Sequence, residues 1–284
     1  MDKKSYFMII LASFFYAIYL IVNRSYLVDR FTPLNFACGS GLSAALLSLI
    51  FLTFTGKIRE VKKIQERDLT YIIILGLVMG FLFRLLLFWG QSLTTATNAG
   101  FLLRTAPLFA LIFGYILMRE SITKKHIMLM SVMGFGVYLL TTEGKLILNL
   151  GDILLILGGL IVGFDQAFSR KMMNKGISPD ILTSLTMITG GTLLYLFTII
   201  LSSPSLIGWE IYLLSGLLIC LSVYTRNLGL KHIKAGIVSS ILLLSPVFTA
   251  IIGISLLHEE ITPPQLLGGI IILSGGYLII KIKS

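Results

Sequence analysis

Long apolar runs alternate along the chain with short polar breaks, and within the runs polarity does not alternate residue by residue. Ile72 to Leu77 and Ile270 to Leu273 are continuously apolar, so the period-two strands of a membrane barrel are excluded and helices are predicted. Cutting at charged and Pro-, Gly- or Asn-rich breaks places helices near residues 5–23, 33–55, 70–92, 96–118, 124–142, 151–170, 180–201, 210–228, 235–257 and 263–281. Each is close to the ~20 residues a helix needs to cross the hydrocarbon core. The fold class expected is therefore all-α integral membrane, with ten transmembrane helices.

Composition agrees with that pattern. Of 284 residues, 56% are hydrophobic and 13% charged, too apolar for a water-soluble chain of this length. The net charge of +10 would suggest nucleic acid in a soluble protein, but the cations sit in the breaks, so no nucleic-acid partner is expected. With a cytoplasmic N-terminus, 18 of the 23 Lys and Arg residues, Arg226 among them, fall in inside segments. Arg24, Arg30 and Lys145 fall outside, while Arg84 and Arg104 lie within helices. This bias predicts both termini in the cytoplasm and a multi-pass protein of the plasma (inner) membrane. Met1 to Lys4 and the apolar run after it lack a small-residue cleavage site and are read as part of the first crossing.

The chain also repeats itself. Shifted by 139 residues, 107–139 matches 246–278 with 11 identities in 33 positions, including Pro107 on Pro246, Glu120 on Glu259, Thr123 on Thr262 and Tyr138 on Tyr277. A weaker match at 146 places Arg24 on Arg170, Pro33 on Pro179 and Tyr19 on Asp165. Shared apolar composition does not align Pro, Glu and Thr in register. Two repeats are expected, 1–148 and 149–284. Each holds five helices, an odd number, so the second would be inverted relative to the first, as in many secondary transporters.

These features resemble the drug/metabolite transporter superfamily, in particular its EamA-type members: two five-helix repeats, each with Pro, a small-residue-rich helix, Glu-x-Ile-Thr and a last helix carrying Gly-x-Tyr-Leu. The resemblance covers the whole chain and implies export or exchange of a small metabolite by alternating access. It does not fix the substrate. The Trp frequent in the first helix of a family repeat is missing, with Phe14, Phe15 and Tyr16 in that region.

Ionisable groups in hydrocarbon cost several kcal/mol unless they face a partner or a cavity, which singles out Arg84, Arg104 and Asp165. Arg84 and Arg104 flank the turn near Thr94 symmetrically, so they share a depth about 10–15 Å below the outer surface. An anionic group between them would relieve their repulsion. Asp165 falls in the inner half of the membrane, where it could pair with an arginine, bind a substrate amine or accept a proton. Helical spacing adds Tyr16, Tyr19, Phe88 and Gln91 to the wall, against snorkelling arginines and aromatic packing as the structural alternatives. Pro107 and Pro246 are expected to kink their helices, as hinges or as shape. Thr123 and Thr262 are candidate helix caps. Gly76-x-x-x-Gly80 and Gly159-x-x-x-Gly163 are read as close-packing motifs.

No nucleotide loop or metal-ligand spacing occurs, and neither enzyme activity nor a cofactor or metal is expected. The function expected is secondary transport of a small polar metabolite such as an amino acid. The alternatives are an organic anion, phosphate or nucleotide-sugar exchanger, a lipid-modifying enzyme and a non-transporting sensor. Proton coupling and a homodimer stay open.

Overall fold

The computed structural model describes residues 3–27, 31–93, 102–120, 123–142, 149–202, 204, 208–257 and 262–281. Among them every regular element is a helix, joined by turns and loops, and there is no strand. Helices that continue through a π or 3₁₀ turn are numbered as one. α1 is Lys3–Leu27 and α2 is Pro33–Phe54; the single-turn helix Ile58–Val61 follows. α3 runs from Glu66–Leu75 through a π-helical turn, Gly76–Leu82, into Phe83–Leu93. α4 begins with the 3₁₀ turn Leu103–Thr105 and continues as Ala106–Met118; α5 is Lys124–Thr142, α6 Leu150–Asn174, α7 Pro179–Leu201 and α8 Trp209–Leu230. α9 joins Ala235–Ile241 to Ser245–Leu257 through the 3₁₀ turn Leu242–Leu244, and α10 is Pro263–Lys281.

Seven stretches are long and apolar enough to cross a bilayer: Lys3–Asn23, Pro33–Phe54, Glu66–Gly90, Leu150–Asn174, Pro179–Leu201, Trp209–Leu230 and Ala235–Gly253. Leu103–Met118 and Pro263–Ile279 are shorter apolar helices. Large apolar side chains such as Phe54, Ile74, Ile116, Met128, Phe135, Ile200 and Leu267 point outward. A continuous apolar exterior of this kind is a surface for lipid, and the protein is a multi-pass membrane protein.

Several helix starts are written locally. Thr32 and Ser178 each precede a proline at the first helical position, and their hydroxyls accept from Asn35 N (3.3 Å) and Ile181 N (3.4 Å). Asn149 and Asp152 form a reciprocal capping box that opens α6. Thr262 differs from its expectation: its hydroxyl has no partner among the described residues, and the Gln265 side chain accepts from Thr262 N at 2.9 Å instead.

Packing pairs α2 with α7, α5 with α10, α1 with α8 and α9, α6 with α3 and α4, α3 with α7, and α2 with α8. Small residues let these helices approach. A Cβ on Gly190 would stand 2.3 Å from Gly80 Cα, so α3 and α7 touch backbone to backbone. Gly159 and Gly163 face Thr105 and Phe109 of α4, the packing role read from their spacing.

Three ion pairs gather at one end of the bundle: Lys57 with Asp180, Asp68 with Lys175 at 2.5 Å, and Glu120 with Arg170 at 2.5 Å. Arg170 Nη1 also donates to the carbonyls of Leu230 and Ile233, both at 2.6 Å, and Glu120 Oε2 accepts from Ala235 N at 3.1 Å. The ends of α4, α6 and α8 and the start of α9 are thereby tied in one network.

Candidate functional site

Between the helices lies an internal cavity of about 110 Å³, room for a small solute and well beyond one water. Irregular backbone surrounds it. A proline donates no amide hydrogen, so Pro107 and Pro246 each interrupt the helical ladder, and a 3₁₀ turn precedes each one. Ser245 Oγ donates to Leu242 O at 2.9 Å, the carbonyl that Pro246 leaves without its usual donor; Thr105 Oγ1 donates to Leu102 O at 2.7 Å in α4. Pro107, Ser245 and the π turn's Met79 and Gly80 all line the cavity. Non-helical backbone at membrane depth is tolerated where it borders such a space.

The cavity's charges are Arg84, Arg104, Arg226 and Asp165. Arg84 is 5% exposed, and its polar contacts are to Ser40 Oγ (3.3 Å) and, weakly, Met187 Sδ (3.9 Å). The Arg104 guanidinium lies over the Tyr16 ring, 5.5 Å from its centroid, and its buried Nε has no hydrogen-bond partner among the described residues. Tyr16 and Tyr19 pack together at 5.7 Å, and both line the cavity.

Asp165 is 2% exposed. Its Oδ1 accepts from Ser169 Oγ at 3.2 Å, and Arg226 Nη1 stands 2.7 Å from its Oδ2. The Arg226 contact is one of charge, outside aligned hydrogen-bond geometry. Arg226 is further held by Asn227 Oδ1, at 3.1 and 3.3 Å, while Asn227 Nδ2 donates to Thr183 Oγ1 at 2.9 Å. Three guanidiniums against one carboxylate leave the lining with two surplus positive charges.

Of the residues expected at the site, Arg84, Arg104, Asp165, Tyr16, Tyr19 and Pro107 border this cavity. Pro246 directly follows the lining residue Ser245. Phe88 does not border it: it packs edge-on against Phe36 at 6.0 Å in an aromatic cluster with Tyr212, a structural position. The Gln91 side chain lies outside the described residues. Arg226, grouped by sequence with the inside charges, is instead 6% exposed within α8 and paired with Asp165 of α6.

The EamA-like transporter family profile matches residues 3–142 and again 149–281. The chain belongs to this family. A relative, the uncharacterized transporter YyaM of Bacillus subtilis, is 26% identical over 264 residues, covering 88% of this chain and 85% of that one. An uncharacterized transporter of Archaeoglobus fulgidus is 25% identical over 227 residues, 78% of this chain and 80% of its own. A solved structure described only as a protein crystal structure superposes with a TM-score of 0.74 at 13% identity, covering 97% of this chain and 95% of that chain, which shows a shared fold. A role in transport follows from the family.

Arg226 and Gln166 are among the cavity residues of this EamA chain that escaped the sequence reading. Arg226 stands near the end of its apolar run, where charge counting assigns cations to the loop. Gln166 follows Asp165 directly, and an uncharged amide in a mixed run carries no periodic signal.

Proposed function

We propose that the protein is a secondary transporter of a small organic anion, acting by alternating access between two inverted five-helix halves, 1–148 and 149–284. The observation that carries the substrate class is the state of the cavity charges. Asp165 is engaged by Arg226, and Arg84 and Arg104 face the same space without a carboxylate contact among the described residues. Two desolvated guanidiniums call for a negative partner, and carboxylate or phosphate groups match their forked donors. The helix starts beyond the 3₁₀ turns of α4 and α9 add partial positive charge at the cavity.

The reading of two halves is supported by the double family match and by the packing pattern. Exchanging α1 with α6, α2 with α7, α3 with α8, α4 with α9 and α5 with α10 maps the pairs α1·α8, α1·α9 and α2·α8 onto α3·α6, α4·α6 and α3·α7. The pairs α2·α7 and α5·α10 map onto themselves. The three terminal ion pairs each join a residue before 143 to one after 148, so they close one end. By the positive-inside bias that end is cytoplasmic, as are both termini, in a plasma membrane. Export as the net direction rests on the family resemblance alone.

An amino acid is the second reading, favoured by a carboxylate on the cavity wall. It requires the substrate amine to take the place of Arg226 on Asp165. A thermal-shift screen of purified protein against carboxylates, phosphate esters, amino acids and organic cations separates the two. Stabilisation by anions that is lost in Arg84→Gln and Arg104→Gln supports the proposal. Stabilisation confined to amino acids and lost in Asp165→Asn supports the alternative.

A further inference from the structure

Gln166 follows Asp165 on α6 and lines the cavity, with 1% of its surface exposed. Its Oε1 has no hydrogen-bond partner among the described residues. It contrasts with hydroxyls bordering the same space. Ser222 donates to Ala12 O at 3.0 Å, Ser245 to Leu242 O at 2.9 Å, and Thr186 to Leu182 O and Thr183 O, both at 2.9 Å. Those groups are consumed by the backbone. Gln166 is not.

Buried polar atoms are almost always paired, and an orphan calls for an explanation. A binding cavity supplies one, because the missing partner is then a group on the ligand. The Arg104 Nε donor is unpaired in the same cavity, so the ligand must offer an acceptor there and a donor to Gln166. A hydroxyl both donates and accepts, so it pairs with the amide in either of its two orientations. We propose that Gln166 is a specificity residue that reads a hydroxyl on the transported molecule, whose anionic group is held by Arg84 and Arg104. The substrate class is thereby a hydroxylated organic anion, either a hydroxycarboxylate or a polyol phosphate ester. This rests on the organic-anion reading above and narrows it.

Sites built to bond a hydroxyl discriminate strongly against the analogue that lacks it, since the buried partner is then left unpaired. The test is binding to purified full-length protein, by thermal shift and calorimetry, of matched pairs: L-lactate against propionate, L-malate against succinate, and glycerol 3-phosphate against n-propyl phosphate. Wild type should bind the hydroxylated member of at least one pair about tenfold or more tightly. The carboxylate and phosphate pairs tell the two sources apart. Gln166→Leu should remove that preference, bringing the hydroxylated member of the pair to the affinity of its analogue. Gln166→Met serves if the leucine variant is not recovered folded.

Equal affinity within every pair for wild type, or a preference that survives both variants, overturns the role of Gln166 and leaves the anion reading standing. Binding of amino acids or amines with none of the six anions overturns the anion reading itself. Absence of binding by all three hydroxylated anions overturns the substrate class.

Discussion

Arg226 Nη1 stands 2.7 Å from Asp165 Oδ2, a contact between α8 and α6 that consumes the carboxylate lining the cavity. Breaking a buried pair by removing one partner leaves an uncompensated charge and typically costs about 3–5 kcal/mol, whereas removing both costs far less. Asp165→Asn should therefore lower Tm markedly in detergent, and the double change Asp165→Asn with Arg226→Gln should recover much of the loss. Equal Tm for wild type and Asp165→Asn would show that the pair does not hold the two helices.

Arg84 and Arg104 behave oppositely in the same account. Each is a desolvated cation without a carboxylate contact among the described residues, so its charge opposes stability and is retained for binding. Arg84→Gln and Arg104→Gln should leave Tm unchanged or raised while cutting transport at least about tenfold, the loss of one charge-assisted contact. Proteoliposome flux and thermal melts on the same preparations check both halves of that statement.

Phe88 separates packing from binding. It sits among Phe36 and Tyr212, away from the cavity, so Phe88→Leu should lower stability by about 1 kcal/mol and leave ligand affinity unaltered. A shift in affinity without a change in melting would return Phe88 to the site.

Lys57 and Asp180 tie the end of α2 to the start of α7. In a background with Cys38 and Cys220 replaced by Ala, the pair Lys57→Cys with Asp180→Cys should be cross-linked by a short bis-methanethiosulfonate reagent, which spans the length of the lost side chains, and stop transport, and reductant should restore it. Unimpeded flux in the cross-linked protein would show that this end does not open. Asp180 is buried, so neutralising Lys57 alone, which strips that carboxylate of its cation, should lower Tm.

Much of this was legible in the sequence because the membrane makes apolar length and buried charge costly to misplace. The helix positions, Pro107 and Pro246 beside their 3₁₀ turns, and the gathering of Arg84, Arg104, Asp165, Tyr16 and Tyr19 at one cavity follow from that economy of signal. Which arginine pairs with Asp165 was not legible. Arg226 lies at the end of its apolar run, and only the packing of α8 against α6 reveals that it turns inward. Phe88 misled for a geometric reason: it shares a helical face with Arg84, but about 6 Å further along the axis other helices cover that face. Gln166 had no pattern to betray it, since an unpaired amide is a property of the packed structure.

The most direct test of the central claim is solute uptake into proteoliposomes by wild type and Arg104→Gln, measured for organic anions, amino acids and organic cations side by side. The account predicts that an organic anion accumulates with wild type and that Arg104→Gln abolishes this accumulation without loss of folded protein. Accumulation of a cation or neutral solute, undiminished in Arg104→Gln, would contradict it.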